Sequence, residues 1–266
     1  MGKGSITTLT FQRHPSVLCH MRLVIAIIFC LLANISWSAD FQKGISAFEN
    51  GDYETAYNNW KPLAERGNQA AQTGIGFLYF DGVYVRQDYK KARKWFLLAA
   101  RQGDYSAQQA LGYIYDNGLG TPVDKSKALA WYLRSAKQGY YLAQTNVGVM
   151  YQAGEGIQVN HRKSLKYFGL AAEQGFAPSQ YLLGMIYMLS YQDYVSARMW
   201  GRVALLNGLE LQPDMKRFPF NLVDFVELGE KLIKITGERL TDAEIEQAEQ
   251  LALKCIQKQY NNCVSS

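Results

Sequence analysis

Residues 107–139 read AQQALGYIYDNGLGTPVDKSKALAWYLRSAKQG, and this stretch decides the fold. Moved along the chain by 36 residues in either direction, it meets itself. Gly76, Gly112, Gly148 and Gly184 are spaced by 36, as are Tyr79, Tyr115, Tyr151 and Tyr187, and Gln72, Gln108, Gln144 and Gln180. Gly67, Gly103, Gly139 and Gly175 form a further series, which Gly208 extends after a three-residue deletion. Asp88, Asp124 and Asn160 align, and so do Trp95, Trp131 and Tyr167, with Trp200 joining them once the deletion is counted. A fixed period of this length is the signature of a stacked repeat.

Within one copy the pattern is a helix, a glycine loop and a second helix. Ala71, Ile75, Leu78 and Tyr79 share one face of a helix expected over about 70–80. Gly76 lies inside that helix, where glycine costs about 1 kcal/mol against alanine. Its recurrence calls for a packing reason, and close backbone approach of the second helix is the simplest. Gly82, then Gly118 and Gly120, then Gly154 and Gly156 supply the loop. Asp88, Asp124 and Asn160 are expected to cap the second helix, and Gly103 to end it.

One such hairpin cannot bury its own apolar face, so neighbours must stack. The expected fold is all-α: a solenoid of about five helix–turn–helix units over 40–208. Residues 41–67 are a partial unit, 68–103, 104–139 and 140–175 are full units, and 176–208 is a shortened one lacking the glycine loop. Beyond it, Pro213 and Pro219 bracket a linker within 209–266. Two closing helices follow. The first is capped by Asn221 and stopped by Gly237. The second is capped by Thr241, with Glu244 as capping-box partner and Leu240 and Ile245 as a staple.

The run Ala107-Gln108…Leu111-Gly112…Tyr115…Gly118…Gly120…Asp124…Lys127-Ala128…Trp131-Tyr132…Ala136…Gly139 resembles the Sel-1-like repeat, a relative of the tetratricopeptide repeats. The resemblance covers roughly 41–208. It implies a right-handed α-superhelix used as an adaptor in protein complexes. The segment beginning Leu240-Thr241 also looks like the end of exported bacterial members. Three departures stand out: Tyr84 replaces a loop glycine, Ser164 replaces a second-helix alanine, and the fourth unit lacks its loop.

At the other end, Met21 and Arg22 precede an apolar run from Leu23 to Ala33, followed by Ser36, Ser38 and Ala39. That order reads as a signal peptide over 1–39, with Met21 the true start and cleavage after Ser38 or Ala39. The run of roughly 11 residues is short of the roughly 20 that a membrane span needs. The expectation is a periplasmic or secreted protein with no stable membrane insertion once the leader is cut. Trimming Lys3, Arg13 and Arg22 lowers the basic count from 28 to 25 against 23 acids. An excess so small gives a polybasic surface for nucleic acid or for membranes no support. Cys255 and Cys263 are the cysteines left, and in an oxidising compartment they are expected to pair. The alternative is two free thiols.

No catalytic, cofactor or metal residues are expected. His161 follows Asn160 at a helix start and reads as a surface residue, with no nucleophile motif around it. The glycine loops lack the Lys-Ser or Lys-Thr of a phosphate cradle. The repeat-variable positions of the first helices are the candidate partner contacts. They are Thr73, Phe77 and Phe80, then Gln109, Tyr113 and Asp116, then Thr145, Val149 and Gln152, then Tyr181, Met185 and Met188. Phe77, Tyr113, Val149 and Met185 would form an apolar track on the concave side, or else pack within the superhelix. The function expected is a scaffold for a protein or peptide partner. Alternatives are a β-lactam-binding or hydrolysing enzyme of the cysteine-rich Sel-1-like type and a module for cell-wall glycan.

Overall fold

The structure is a computed structural model that describes residues 40–207, 225–260 and 263. The expected leader over 1–39 and the expected roles of Gly208, Pro213, Pro219 and Asn221 fall outside them. The described residues form twelve α-helices and a π-turn, with no strand. They are α1 (40–49), α2 (Tyr53–Glu65), α3 (Gln69–Asp81), α4 (Tyr89–Arg101), α5 (Tyr105–Asn117) and α6 (Lys125–Lys137), followed by α7 (Tyr141–Ala153), α8 (His161–Ala172) and α9 (Ala177–Ile186). The π-turn (Tyr187–Tyr191), α10 (Tyr194–Asn207), α11 (Phe225–Gly237) and α12 (Asp242–Gln257) complete the chain. From α2 to α10 each helix packs against the next, which is the stack that the period demands.

The polar termini of the helices are satisfied at the expected positions. Asp88, Asp124 and Asn160 accept the amide protons of Lys91, Lys127 and Lys163, each at 2.9 Å. Asn68 and Asp104 do the same for α3 and α5. In α7 and α9 the equivalent places hold Tyr140 and Phe176, which make no side-chain cap. Their rings instead join Tyr141 in a row that buries the helix ends: Tyr140 lies 5.3 Å and Phe176 4.7 Å from its ring. The Thr241–Glu244 capping box opens α12.

In the three full units the helix-interior glycines have a different partner from the one expected. A Cβ on Gly76 would lie 2.6 Å from the ring of Phe96, one on Gly112 2.3 Å from Tyr132, and one on Gly148 2.6 Å from Phe168. The ring comes twenty residues after the glycine each time, from the second helix of the same unit. What fills the space is therefore an aromatic side chain, not a second backbone. Backbone does meet backbone in the loops: a Cβ on Gly156, whose φ is +70°, would lie 2.7 Å from the carbonyl carbon of Lys125 in the preceding unit. Tyr84 takes a loop-glycine place at φ 63° and is held by Glu54, whose carboxylate accepts its hydroxyl proton at 3.3 Å.

The fourth unit breaks the rule. Once the deletion is counted, the ring position of Phe168 becomes Gly201. Leu232 of α11 enters from outside the unit instead: a Cβ on Gly184 would meet its Cδ2 at 2.6 Å, one on Gly201 at 3.1 Å. Here the expected close approach of the second helix also holds, with the Ala197 carbonyl oxygen of α10 at 3.0 Å from the Gly184 position. Leu232 is buried. The lost loop is replaced by the π-turn and by Gln192, whose φ is 54°. Asp193 then caps α10 through the amide of Ser196 at 3.0 Å.

The recurring glutamines tie unit to unit. Gln72, Gln108, Gln144 and Gln180 donate to the carbonyls of Ala64, Ala100, Ala136 and Ala172, which end the preceding second helices. Each also accepts from an amide at the end of its own unit: Gln102, Gln138, Gln174 and Asn207. Buried polar groups left unpaired are costly, so this ladder specifies how successive units dock. It ends at Tyr260, whose hydroxyl donates to Asn207 Oδ1 at 2.5 Å. Cys255 and Cys263 are bonded just beside it, with Cα atoms 4.9 Å apart. Arg198 and Arg202 of α10 pair with Glu249 and hold α12 against the last unit.

Candidate partner-binding cleft

The first helices α3, α5, α7 and α9 carry all the proposed contact positions except Met188, which sits in the π-turn. Five of the twelve positions are buried: Thr73, Phe77, Phe80, Gln109 and Thr145. They pack inside the superhelix and present no surface to a partner. Phe77 stacks edge-on to Phe96 at 4.9 Å, and Phe80 meets Tyr89 at 5.3 Å and Tyr113 at 6.0 Å. Thr145 Oγ1 shares a hydrogen bond with Ser179 Oγ at 2.7 Å, and Thr73 Oγ1 donates to the carbonyl of Gln69. Gln109 is fully buried, and its amide makes no hydrogen bond among the described residues.

Asp116 is accessible but already engaged. Lys125 Nζ sits 2.6 Å from its Oδ1 and 2.7 Å from Glu155 Oε2, which links the second unit to the third. Burial disfavours the Lys125 charge, yet its hydrogen bonds to Asp116 and Glu155 outweigh this and hold its pKa above the ordinary value. The buried Tyr132 hydroxyl reaches Asp116 at 3.4 Å, and burial, with that carboxylate beside it, pushes its pKa well up.

What remains accessible is Tyr113, Val149, Gln152, Tyr181, Met185 and Met188. Of these, Val149, Gln152 and Met185 meet at an apolar cleft of ≈ 170 Å³. Ala153 of α7, Leu182 and Ile186 of α9, and Leu189 of the π-turn complete its walls, and Phe168 forms its floor. Side-chain size explains why the cleft opens here. Between α3 and α5 the interhelical space is closed by Phe80 against Tyr113. Two units on, the same two places are Gln152 and Met185. The one polar group on the rim, Gln152, is approached by His161 Nδ1 at 3.3 Å, and His161 is exposed as expected.

Leu182, Ile186 and Leu189 were not among the positions marked from sequence. The deletion was the available signal, because the π-turn that repairs it leaves Leu189 68% exposed. Chemically, the cleft can grip an apolar side chain. No titratable group lines it. Among the described residues no three His, Cys, Asp or Glu side chains gather as a metal site. No described helix is long and apolar enough to cross a membrane.

The Sel1 repeat profile matches residues 69–104, 106–140, 142–176 and 177–209, just over half of the chain. No curated protein matches significantly. Among solved structures, the chain is similar to c5321, described as a protective antigen present in uropathogenic Escherichia coli strains displaying an SLR fold. Identity is 28%, the match covers 85% of this chain and 47% of that one, and the TM-score is 0.71, so this chain spans about half of the antigen's length. It is also similar to a Sel1 repeat protein from Oxalobacter formigenes, at 25% identity over 77% of this chain and 88% of that one, with a TM-score of 0.56. The immunity protein Pa5087 from Pseudomonas aeruginosa matches at 20% identity, 80% and 82% coverage and a TM-score of 0.46. With four consecutive repeat matches carried on the helix pairs described above, the chain belongs to the Sel1 repeat family.

Proposed function

We propose that the chain is a non-enzymatic scaffold that holds a protein or peptide partner on the concave side, anchored in the cleft between α7 and α9. The cleft carries this reading. At ≈ 170 Å³ it is smaller than the roughly 300–1,000 Å³ of sites that enclose small molecules. It suits one apolar side chain pressed into an otherwise extended surface, which is how anchors work at protein interfaces. Proteins of this repeat family generally bind protein partners, and the fold here is theirs. The leader expected over 1–39 supports a place in the cell envelope or outside the cell. The β-lactam reading rests on a disulfide in each repeat, and residues 40–207 contain no cysteine.

The test is site-specific photo-crosslinking in intact cells from position 189, followed by identification of the captured chain. A double variant, Met185→Asp with Leu189→Asp, is expected to lower capture at least tenfold while leaving the urea midpoint near that of the parent, since neither side chain is fully buried. Capture that survives both changes would remove the cleft from the account. Turnover of a chromogenic β-lactam would remove the scaffold.

A further inference from the structure

The nearly balanced total charge conceals a strong segregation. Residues 82–172 hold thirteen Lys and Arg against five Asp and Glu, a net of +8. The other described residues hold ten against fifteen, a net of −5. The excess sits on the second helices: α4, α6 and α8 carry twelve Lys and Arg and no acidic residue. Within 82–172, four of the five acids are spent on Lys91, Lys125 and Lys127, and Asp104 caps α5; the exposed Glu173 follows at the end of α8, in the register of Lys137.

The outward stripe of each second helix falls in the same register. Lys94 and Leu98 of α4 align with Lys166 and Leu170 of α8, and Arg134 lies between the two leucines on α6. Lys137 continues the α6 stripe one turn on. All six side chains are exposed, and none of the four cations has an ion pair among the described residues. Leu98 is 44% and Leu170 37% exposed in the middle of this field. Beside them Arg134 lies 4.5 Å over the half-buried ring of Trp131. The surface is shared by the second helices of three successive units.

We infer that the outer face of α4, α6 and α8 is a docking surface for an anionic lipid bilayer. A phosphate-rich headgroup layer matches unpaired cations, and the acyl boundary beneath it matches the exposed leucines and the tryptophan edge. Duplex nucleic acid would answer the cations but leave the leucines without a role, and an indole covered by a guanidinium is no platform for a base. The association is peripheral. It uses a face opposite to the cleft, so it stands apart from partner capture.

The experiment is flotation of the protein with phosphatidylglycerol vesicles, phosphatidylcholine vesicles and, separately, binding to duplex DNA. Each Lys or Arg at an anionic surface strengthens binding about fivefold. The variant Lys94→Gln/Lys137→Gln/Lys166→Gln is therefore expected to bind phosphatidylglycerol about a hundredfold more weakly. Leu98→Ser/Leu170→Ser is expected to weaken it too, and added salt to weaken the parent. Met185→Asp leaves vesicle binding unchanged. Absence of binding to phosphatidylglycerol, equal binding to phosphatidylcholine, or an indifferent glutamine variant overturns the inference. So does DNA binding tighter than vesicle binding with the leucine variant unaffected, which would assign the face to nucleic acid. The exposed positions of all five substitutions make unfolding an unsuitable explanation, and an unchanged urea midpoint verifies this.

Discussion

Gly184 of α9 faces Leu232 of α11 at a distance that leaves no room for a Cβ on the glycine. In the three preceding units that space is taken by a ring from the unit itself, and in the last unit the ring position is Gly201. The closing helix is therefore keyed to the stack by one leucine in a vacated slot. Leu232→Ala is expected to lower stability by about 2–5 kcal/mol, seen as a lower urea midpoint. A loss below about 1 kcal/mol would mean that α11 is seated by something else.

The glutamine ladder predicts an asymmetric outcome. Gln108 is buried, donates to Ala100 and accepts from Gln138. Gln108→Leu strands a buried carbonyl and is expected to cost about 1–3 kcal/mol. Gln138 is exposed at its end of the bond, so Gln138→Ala should cost clearly less, because water replaces part of what it offers. Equal costs for the two substitutions would contradict this account of the ladder.

Asp104 couples stability to pH. Burial raises its carboxyl pKa above the ordinary value, although the amides of Ala107 and Ser106 and the Thr73 hydroxyl work the other way. The folded chain thus holds this proton more tightly than the unfolded chain. The stability that this group contributes falls as pH rises through the interval between its unfolded and folded values. Asp104→Asn keeps an acceptor for the Ala107 amide, as Asn68 does for Ala71. The variant should be the more stable protein at neutral pH, with the difference shrinking toward about pH 4. If it is the less stable protein at neutral pH, the ionised cap outweighs its burial.

The Cys255–Cys263 bridge closes a short loop at the end of α12. In the chain-entropy description such a loop is worth about 2.5 kcal/mol. Thiol titration of unfolded, unreduced protein should find no free thiol at these positions. Cys255→Ser should lower the midpoint accordingly and loosen Tyr260 from Asn207, visible as faster amide exchange at the end of α10. Two titratable thiols would exclude the bridge.

Much of the fold was legible because repeats print the same physics several times over. Asp88, Asp124 and Asn160 show their capping role by spacing alone, and the structure places them there. Gly76 announced a tight contact but not its partner, since a bare glycine looks the same beside a ring as beside a backbone. The cleft was only half legible. Val149 and Met185 were marked, but whether a first-helix side chain faces inward or outward depends on the curvature of the stack, and Phe77, Phe80 and Thr145 turned inward. Leu189 owes its exposure to the π-turn, and a deletion does not say how the chain will repair itself. The basic outer face was missed because a sum over the chain cancels charges that the fold holds far apart.

Along the inner track, Phe77 gives way to Tyr113, then Val149, then Met185, and the packing loosens as the rings disappear. The superhelix is consequently not the same read forward and backward. An extended peptide laid along it finds a shut end and an open end, and only one orientation brings its bulkiest residue to the open one. For a peptide held there as we propose, such a taper would set its direction before any particular hydrogen bond is made.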